Sequence, residues 1–311
     1  GLGDVYKRQI MLRLSPENNA RFTQCNAFEA VYGGGEANTA VSLANFDVDA
    51  NYVTKLPKHI IGQAAINSLR QYGVGVDHIV RGGDQIGIYF LEKKTSQRPT
   101  NVIYNRSSSA IALAEESDFD WDKIFKDATW FHFSGITPAI SDNMAKITLA
   151  ACKAAKEKGL TISCDLNYRS KLWSSEKANK VMSELCPYVD ICIANEDDAV
   201  GIFSMDASKS DKEKNAYIAE ELTKRFPFKM VASVWRTETS ITTFKLQSMI
   251  YTEGKAYYSK EFFMHILDYI GAGDAYCAGL IYSLINNFDP QKAVELSLIH
   301  ISEPTRPISI S

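Results

Sequence analysis

The sequence has no apolar run long enough to cross a membrane, since its longest runs, such as 278–285, hold about eight residues and a spanning helix needs roughly 20. It also lacks a strong excess of one charge, because 34 Lys and Arg against 37 Asp and Glu leave a formal net charge of -3. This balance gives no electrostatic reason to bind nucleic acid or an anionic lipid surface. We therefore expect neither a nucleic acid nor a membrane as partner.

Closely spaced cysteine pairs are missing as well. The six cysteines are scattered without a CxxC pair, and no histidine lies near Cys186 and Cys192, the two that are closest in sequence. Isolated thiols in a chain of this size favour reduced, buried cysteines over disulfides, and they disfavour a zinc-type site. We therefore expect a cytoplasmic protein.

Two common phosphate-binding motifs are incomplete. No GxxxxGK[ST] sequence occurs, and Tyr276 stands where a GxGxxG fingerprint beginning at Gly271 needs its third glycine. That fingerprint also belongs after the first strand of a domain and not near the end of a chain. What remains is Gly271-Ala272-Gly273 at the start of an apolar helix. Its backbone N–H groups and the helix dipole predict an anion hole.

An aspartate, Asp274, follows this glycine pair directly. A carboxylate repels phosphate, but at the edge of an anion hole it can take the proton from a hydroxyl that attacks the bound phosphorus. The alternative is that Asp274 only caps the helix. The first interpretation predicts phosphoryl transfer, with Asp274 as general base beside Gly271, Ala272 and Gly273.

Strand-like and helix-like segments alternate along most of the chain. Helices are predicted over 35–46, 61–72, 142–158 and 174–185, and strands over 51–56, 160–166, 189–194 and near 229–235. Buried strands that alternate with helices predict a mainly parallel sheet with helices on both faces. The expected fold class is therefore α/β.

Two segments, about 11–33 and 84–110, break this alternation. The stretches 87–93 and 101–105 are strand-like with no helix between them, and 22–32 is strand-like with polar interruptions. They predict a small antiparallel flap set apart from the main sheet. Such a flap would serve as a lid that keeps water out of a phosphoryl-transfer site.

Two signature regions, GAGD before a small-residue helix and YGGGEANTAVSLANF near the start, resemble those of the ribokinase-like (PfkB) carbohydrate kinases. With the flap, the resemblance covers residues 10–297. Within that family, five segments look like those of kinases acting on 2-keto-3-deoxygluconate: GIYFLEKKTSQRP, VIYNRSSSAIA, WFHFSGITPA, SCDLNYRSKLW and CIANEDDA. The resemblance implies a ribokinase-like fold. It also implies transfer of the ATP γ-phosphate to the 6-hydroxyl of this sugar acid, with Mg²⁺ as cofactor.

The resemblance also implies residue roles. The residues expected around the sugar acid are Gly34, Tyr89, Tyr104, Arg106 and Arg169. Asn195 and Glu196 are expected to order Mg²⁺, and Arg236 to contact the nucleotide with Asn195 and the glycines of GAGD. His132 is expected to be a core or strand-end histidine without a ligand role.

The two ends do not fit the chain between them. Residues 1–9 and 298–311 resemble translated adapter sequence, so we expect a single domain over 10–297 and a natural protein that continues further in both directions. Pro304 and Pro307 would break the last helix. The alternative is an ordinary disordered tail.

Other functions remain open at this stage. The nearer alternative is the same fold acting on another sugar, such as fructose or ribose, and the more distant one is a sugar-acid binder without catalysis. A nicotinamide dehydrogenase is the least favoured. Exposed flap strands also suggest a homo-oligomer that pairs through the lid.

Overall fold

The computed structural model describes residues 3–302 except 8, 94–98, 207–210, 239–242 and 266–270. Within these residues the chain forms two β-sheets flanked by helices. The strands are β1 (Gly3–Lys7), β2 (Met11–Pro16), β3 (Phe28–Gly33), β4 (Ala50–Leu56), β5 (Ile79–Arg81), β6 (Gly87–Glu92), β7 (Asn101–Asn105), β8 (Ala128–Ser134), β9 (Thr161–Asp165), β10 (Ile191–Ile193), β11 (Met230–Glu238), β12 (Thr243–Thr252), β13 (Lys255–Tyr258) and β14 (Phe262–His265). The helices are α1 (Gly35–Ala44), α2 (Ile60–Arg70), α3 (Trp121–Ile124), α4 (Ile136–Ala139), α5 (Asp142–Glu157), α6 (Ser175–Leu185), α7 (Glu196–Phe203), α8 (Asp211–Arg225), α9 (Ala272–Ile285) and α10 (Pro290–Ser302).

The larger sheet has the strand order β13-β12-β11-β10-β9-β8-β1-β4-β5, with β14 paired to β12. Neighbouring strands from β11 to β5 are parallel, and β12 pairs antiparallel with β11, β13 and β14. Helices connect most of the parallel strands, which confirms the predicted α/β fold class.

Each face of the larger sheet lies against its own apolar core. Adjacent residues of β1 show the alternation, because Val5 packs into one core with Phe131 and Ile162, whereas Tyr6 packs into the other with Tyr52. Successive side chains of a strand point to opposite faces, so near-continuous apolar strands are required when both faces are covered.

His132 in β8 is 1% exposed, and its Nδ1 lies 2.8 Å from the Ser163 hydroxyl of β9. A buried imidazole with a hydroxyl partner is a satisfied core histidine. The expected core position of His132 is therefore confirmed, and His132 also lines the smaller hollow described below.

The smaller sheet has the order β3-β2-β6-β7, and its strands lie within the predicted segments 11–33 and 84–110. This sheet confirms the predicted small flap set apart from the main sheet. Its two outer pairs are antiparallel, as predicted, whereas β2 and β6 pair in parallel between them. The parallel pair follows from the connection, because α1, β4, α2 and β5 lie between β2 and β6 in sequence and no hairpin joins them.

The start of the chain also departs from expectation. Gly3–Lys7, which we placed outside the fold, forms the strand between β4 and β8 in the larger sheet. The polar composition of this segment argued against a buried strand. Asp4 is nevertheless buried, because its carboxylate accepts a 2.9 Å hydrogen bond from the Thr129 hydroxyl. Burial raises the pKa of Asp4 to about 6.

At the other end, α10 continues to Ser302, past the predicted boundary at residue 297. Pro304 and Pro307 lie outside the described residues, as do residues 1, 2 and 8. Among the helices that the structure describes, none combines the length and the hydropathy needed to span a bilayer.

Candidate active site

The candidate site lies at the carboxyl ends of the parallel strands, beside β1. Here the strand order reverses, because the chain adds β4 on one side of β1 and β8 on the other. Open α/β sheets bind ligands at such a switch point. The segments that leave β8, β9 and β10 therefore converge with the start of α1 on one crevice.

Helix α1 is fixed to this end of the sheet by Glu36, whose Oε1 accepts a 2.8 Å hydrogen bond from the Ser134 N–H. Gly34 precedes the helix, and a Cβ added there would lie 2.5 Å from the Gln9 carbonyl oxygen. Only glycine therefore lets α1 start this close to the segment that follows β1.

Asp274 lies in the first turn of α9. Its Oδ2 accepts a 2.7 Å hydrogen bond from Asn38 Nδ2 in α1, and the Thr39 hydroxyl donates to its backbone oxygen at 3.3 Å. The N-cap of α9 is Gly271, with φ of 84° and no side-chain cap. The alternative that Asp274 merely caps its own helix is therefore wrong, and its carboxylate is instead oriented by a second helix.

Asn38 was not among the predicted site residues. It is 7% exposed and lies two residues after Glu36 in GEAN. Its place inside the signature region YGGGEANTAVSLANF was the available signal, since a buried amide on an otherwise small and apolar helix needs a polar partner.

Two hollows lie at the start of α9. The smaller one, between α1, α9 and the ends of β8 and β9, is lined by the Asp274 side chain with Glu36, Ser134 and Asp165. The larger cleft lies on the other side of the α9 start. Its lining residues are Ala272, Gly273, Asn195, Glu196, Asp197, Lys214, Asn215, Val234, Trp235, Arg236, Thr237 and Leu246.

The larger cleft thus brings together the residues that sequence reasoning assigned to nucleotide and metal. Asn195 and Glu196 come from the end of β10, Arg236 comes from β11, and Gly273 comes from α9. Among the described residues, apart from its chain neighbours and its own helix backbone, no heavy atom lies within 4 Å of a Cβ built on Gly273, so this side of the helix start is open. An exposed backbone at a helix start is the geometry that a phosphate needs.

Asn195 and Glu196 also have structural partners. Asn195 caps α7, since its Oδ1 accepts from the Asp198 N–H at 3.0 Å, and Glu196 pairs with Lys214 at 2.9 Å. The Glu196 side chain nevertheless stays 45% exposed. One carboxylate opening onto a cleft fits Mg²⁺, which keeps several waters and needs few protein ligands.

Asp198 connects helix α7, beside the larger cleft, to the segment that follows β9. It is 3% exposed, and its Oδ1 accepts a 2.6 Å hydrogen bond from the Tyr168 N–H, which fixes the segment after β9 against α7. Burial raises the pKa of Asp198 to about 6, although the N–H groups of Tyr168 and Asn195 oppose the rise. The same segment carries Arg169, which is exposed.

We expect Asp198→Asn to lower the free energy of unfolding more at about pH 5 than at about pH 7.5. Between its ordinary pKa of 3.8 and about 6, the folded protein holds a proton on Asp198 that the unfolded chain has lost. Protonated Asp198 therefore contributes to the free energy of unfolding of the wild type at pH 5. This contribution is lost as the pH rises through about 6. Urea unfolding at both values checks this, with the exposed Asp142→Asn as control; an equal loss at both pH values would contradict it.

Three residues predicted to bind the acceptor lie together, two in the smaller sheet and one directly after its strand β7. Tyr89 in β6 pairs with Tyr104 in β7, with ring centroids 5.9 Å apart, and the Arg106 guanidinium lies 4.2 Å from the centre of the Tyr104 ring. Burial raises the pKa of Tyr89, and the nearby Arg13 guanidinium opposes that rise. Arg169, by contrast, lies beyond β9 and outside this sheet.

Comparison with known proteins gives consistent matches. The profile of the pfkB family of carbohydrate kinases matches residues 9–298. The crystal structure of 2-dehydro-3-deoxygluconokinase from Thermotoga maritima superposes with a TM-score of 0.94 at 44% sequence identity, covering 99% of this chain and 94% of that one. The 2-dehydro-3-deoxygalactonokinase of Haloferax volcanii is 33% identical over 89% of this chain and 82% of its own length.

A more distant likeness extends to a fructokinase from Xylella fastidiosa whose structure holds ATP. It has a TM-score of 0.73 at 21% identity, covering 97% of this chain and 86% of that one. At this identity the likeness shows the shared fold alone.

Proposed function

The chain belongs to the pfkB family of carbohydrate kinases and is an ATP-dependent sugar kinase, and we propose that its acceptor is the 6-hydroxyl of 2-keto-3-deoxygluconate (2-dehydro-3-deoxygluconate). One observation carries the mechanism. The start of α9 lines the larger cleft with Gly273, while the Asp274 carboxylate lines the smaller hollow. A phosphate donor bound in the cleft at Gly273 would therefore lie next to the Asp274 carboxylate, which belongs to the neighbouring residue.

In the proposed reaction, the 6-hydroxyl oxygen attacks the γ-phosphorus and its proton passes to Asp274. A phosphorus–oxygen bond forms to the sugar acid as the bond to ADP breaks, which gives 2-keto-3-deoxy-6-phosphogluconate. The N–H groups from Gly271 to Gly273 would stabilise charge on the transferred group. When bound near Asn195 and Glu196, Mg²⁺ would supply positive charge to the nucleotide phosphates. Arg236, in the same cleft, would contact the nucleotide.

On the acceptor side, Gly34, Tyr89, Tyr104, Arg106 and Arg169 would surround the sugar acid. The two tyrosines would supply hydroxyl groups and flat ring faces, and an arginine would bind the carboxylate through paired N–H donors. The segments 11–33 and 84–110 would form a lid whose closure excludes water and suppresses ATP hydrolysis.

A second acceptor is favoured by one specific observation, since the Haloferax volcanii relative is named for 2-dehydro-3-deoxygalactonate. The two sugar acids share the carboxylate, the ketone and the terminal hydroxyl and differ in configuration at one carbon. The groups that would bind carboxylate and position the 6-hydroxyl suit both acids. Fructose and ribose, which carry no carboxylate, suit these residues less well.

The test is ADP release with ATP, Mg²⁺ and a panel of 2-keto-3-deoxygluconate, 2-keto-3-deoxygalactonate, fructose, ribose and gluconate. We expect turnover with the keto-deoxy acids and a kcat/KM for neutral sugars at least about 100-fold lower, the loss expected when charge-assisted hydrogen bonds are missing. Preference for fructose or ribose would replace the substrate assignment. Ligand binding without turnover would reduce the protein to a sugar-acid binder.

We also propose that the lid pairs with that of a second copy. Phe28 and Ile103, both in the smaller sheet, are 40% and 51% exposed. Apolar side chains on a small sheet are a common basis for association. The single domain over about 10–297, extended by Gly3–Lys7, and a cytoplasmic location remain predictions.

A further inference from the structure

Arg13, in β2 of the smaller sheet, is a buried charge. It is only 2% exposed, and it is among the largest fully buried side chains in the described part of the chain. Its Nε and Nη1 have no hydrogen-bond partner within the described residues, and no ion pair to it is found there.

This state is unfavourable for the protein alone. A guanidinium stays ionised in proteins and cannot escape burial by losing its proton. Removing it from water without an anion, and with no acceptor for Nε and Nη1 among the described residues, costs free energy. A charge kept in this way indicates a missing anionic partner.

The position of Arg13 points to the acceptor side of the site. It stands opposite Tyr89 of β6 and Val31 of β3, and Tyr89 stands opposite Tyr104 of β7. Paired residues in neighbouring strands project from the same face of a sheet, so Arg13 and both tyrosines share one face. The Arg13 guanidinium also lowers the pKa of Tyr89 against the rise that burial causes, in keeping with their pairing in the sheet.

We propose that Arg13 binds the carboxylate of the acceptor and determines the preference of this kinase for sugar acids over neutral sugars. This inference deepens the proposed function and rests on it. It names the anion that the buried guanidinium lacks, and it places that anion beside Tyr89.

Arg13 suits this role better than the other two arginines near the site. Arg169 is exposed, where water screens its charge, and Arg106 is half-buried with its guanidinium against the Tyr104 ring. An ion pair formed away from water is stronger, and its donors need no further desolvation when the ligand arrives. Arg106 and Arg169 are then left for the ketone, the hydroxyls or a secondary contact with the carboxylate.

The test compares two acceptors that differ only at the proposed contact. One is 2-keto-3-deoxygluconate, and the other is 3-deoxyfructose, which has a CH₂OH group in place of the carboxylate. Arg13→Met keeps an unbranched apolar stem and removes the charge. We expect it to lower kcat/KM about 100-fold for the acid, mostly through KM, and to change kcat/KM for 3-deoxyfructose by less than about threefold. Arg13→Lys is expected to recover about tenfold of the loss with the acid.

A second readout separates ligand binding from a structural role. Because Arg13→Met removes a buried, unpaired charge, we expect the ligand-free variant to melt at or above the temperature of the wild type. Added 2-keto-3-deoxygluconate should raise the melting temperature of the wild type and have little effect on the variant.

Arg81→Met is the matched control. The Arg81 guanidinium donates hydrogen bonds to the backbone oxygens of Pro57 and Lys58 and to the Gln63 side chain, away from the site. We expect this variant to melt at a lower temperature and to keep the preference between the two acceptors.

Three results would overturn the inference. If Arg13→Met lowered kcat/KM equally for both acceptors, the preference between them would be unchanged. Arg13 would then have no part in carboxylate recognition. A lower melting temperature of the ligand-free variant with unchanged preference would make Arg13 structural. If the wild type itself turns over neither keto-deoxy acid, the proposed function fails first, and this inference fails with it.

Discussion

Asp274→Asn is expected to lower kcat by about 1,000-fold, the loss that follows removal of a positioned general base. Asparagine has nearly the same size, and its carbonyl oxygen can still accept the hydrogen bond that Asn38 donates to Asp274 at 2.7 Å. The geometry of α1 and α9 should therefore survive, and only the proton acceptor is lost. Affinities for ATP and for the sugar acid should change by less than about threefold, since the carboxylate acts mainly in the transition state.

Initial rates of ADP release give kcat, and calorimetric titration of each substrate gives the affinities. Asp142→Asn serves as the control, because Asp142 is an exposed acid in the first turn of a different helix. Near-normal turnover in Asp274→Asn would refute the general-base role. A large loss of affinity for both substrates would show that Asp274 holds the site together instead.

Gly273→Ala is expected to lower kcat/KM for ATP by about 100-fold, comparable to the loss of one preorganised donor at an anion hole. Apart from its chain neighbours and its own helix backbone, a Cβ at this position meets no atom of the described residues within 4 Å. In the proposed binding mode it would project into the space of the phosphates. The variant should nevertheless fold at least as well, because alanine is favoured over glycine in a helix by roughly 0.5–1 kcal/mol. Gain of stability with loss of activity is a pattern that structural damage cannot produce.

Gly254→Ala gives the opposite pattern as a control. Gly254 also has open space around it, but its φ of 75° lies in the left-handed region that alanine disfavours. This variant should lose stability and keep its activity. Thermal unfolding and the KM for ATP, measured on both variants, decide the matter. Unchanged ATP kinetics in Gly273→Ala would mean that the phosphates bind elsewhere.

The grouping of Gly273, Asn195 and Glu196 was predictable from sequence because these residues follow local rules. Gly271 to Asp274 form a helix start, Asn195 and Glu196 follow a strand end, and ends of parallel strands meet at one edge of a sheet. These patterns need no knowledge of distant parts of the chain. The structure accordingly brings Gly273, Asn195 and Glu196 to one cleft.

Arg13 was missed for a physical reason. It alternates with Leu12 and Leu14, and such alternation normally places the polar residue in water. Alternation separates the two faces of a strand, but it does not say which face a distant segment covers. Tyr89, which stands opposite Arg13 in the smaller sheet, lies 76 positions further along the chain and comes to it by a parallel pairing.

The same limit explains the misplaced start of the fold. Asp4 made the first strand look unsuitable for a buried position, because its partner Thr129 lies 125 residues away in sequence. Gly34 shows a related effect: it was assigned to the substrate, yet its first requirement is the close approach of the Gln9 carbonyl.

The hydrogen bond between Asn38 and Asp274 joins residues that are 236 positions apart. During synthesis at about 5–20 residues per second, the ribosome needs roughly 10 to 50 s to travel from one to the other. Throughout that interval the nascent chain carries α1 without the proposed general base. The pair that orients the Asp274 carboxylate is therefore completed only after most of the chain has been synthesised.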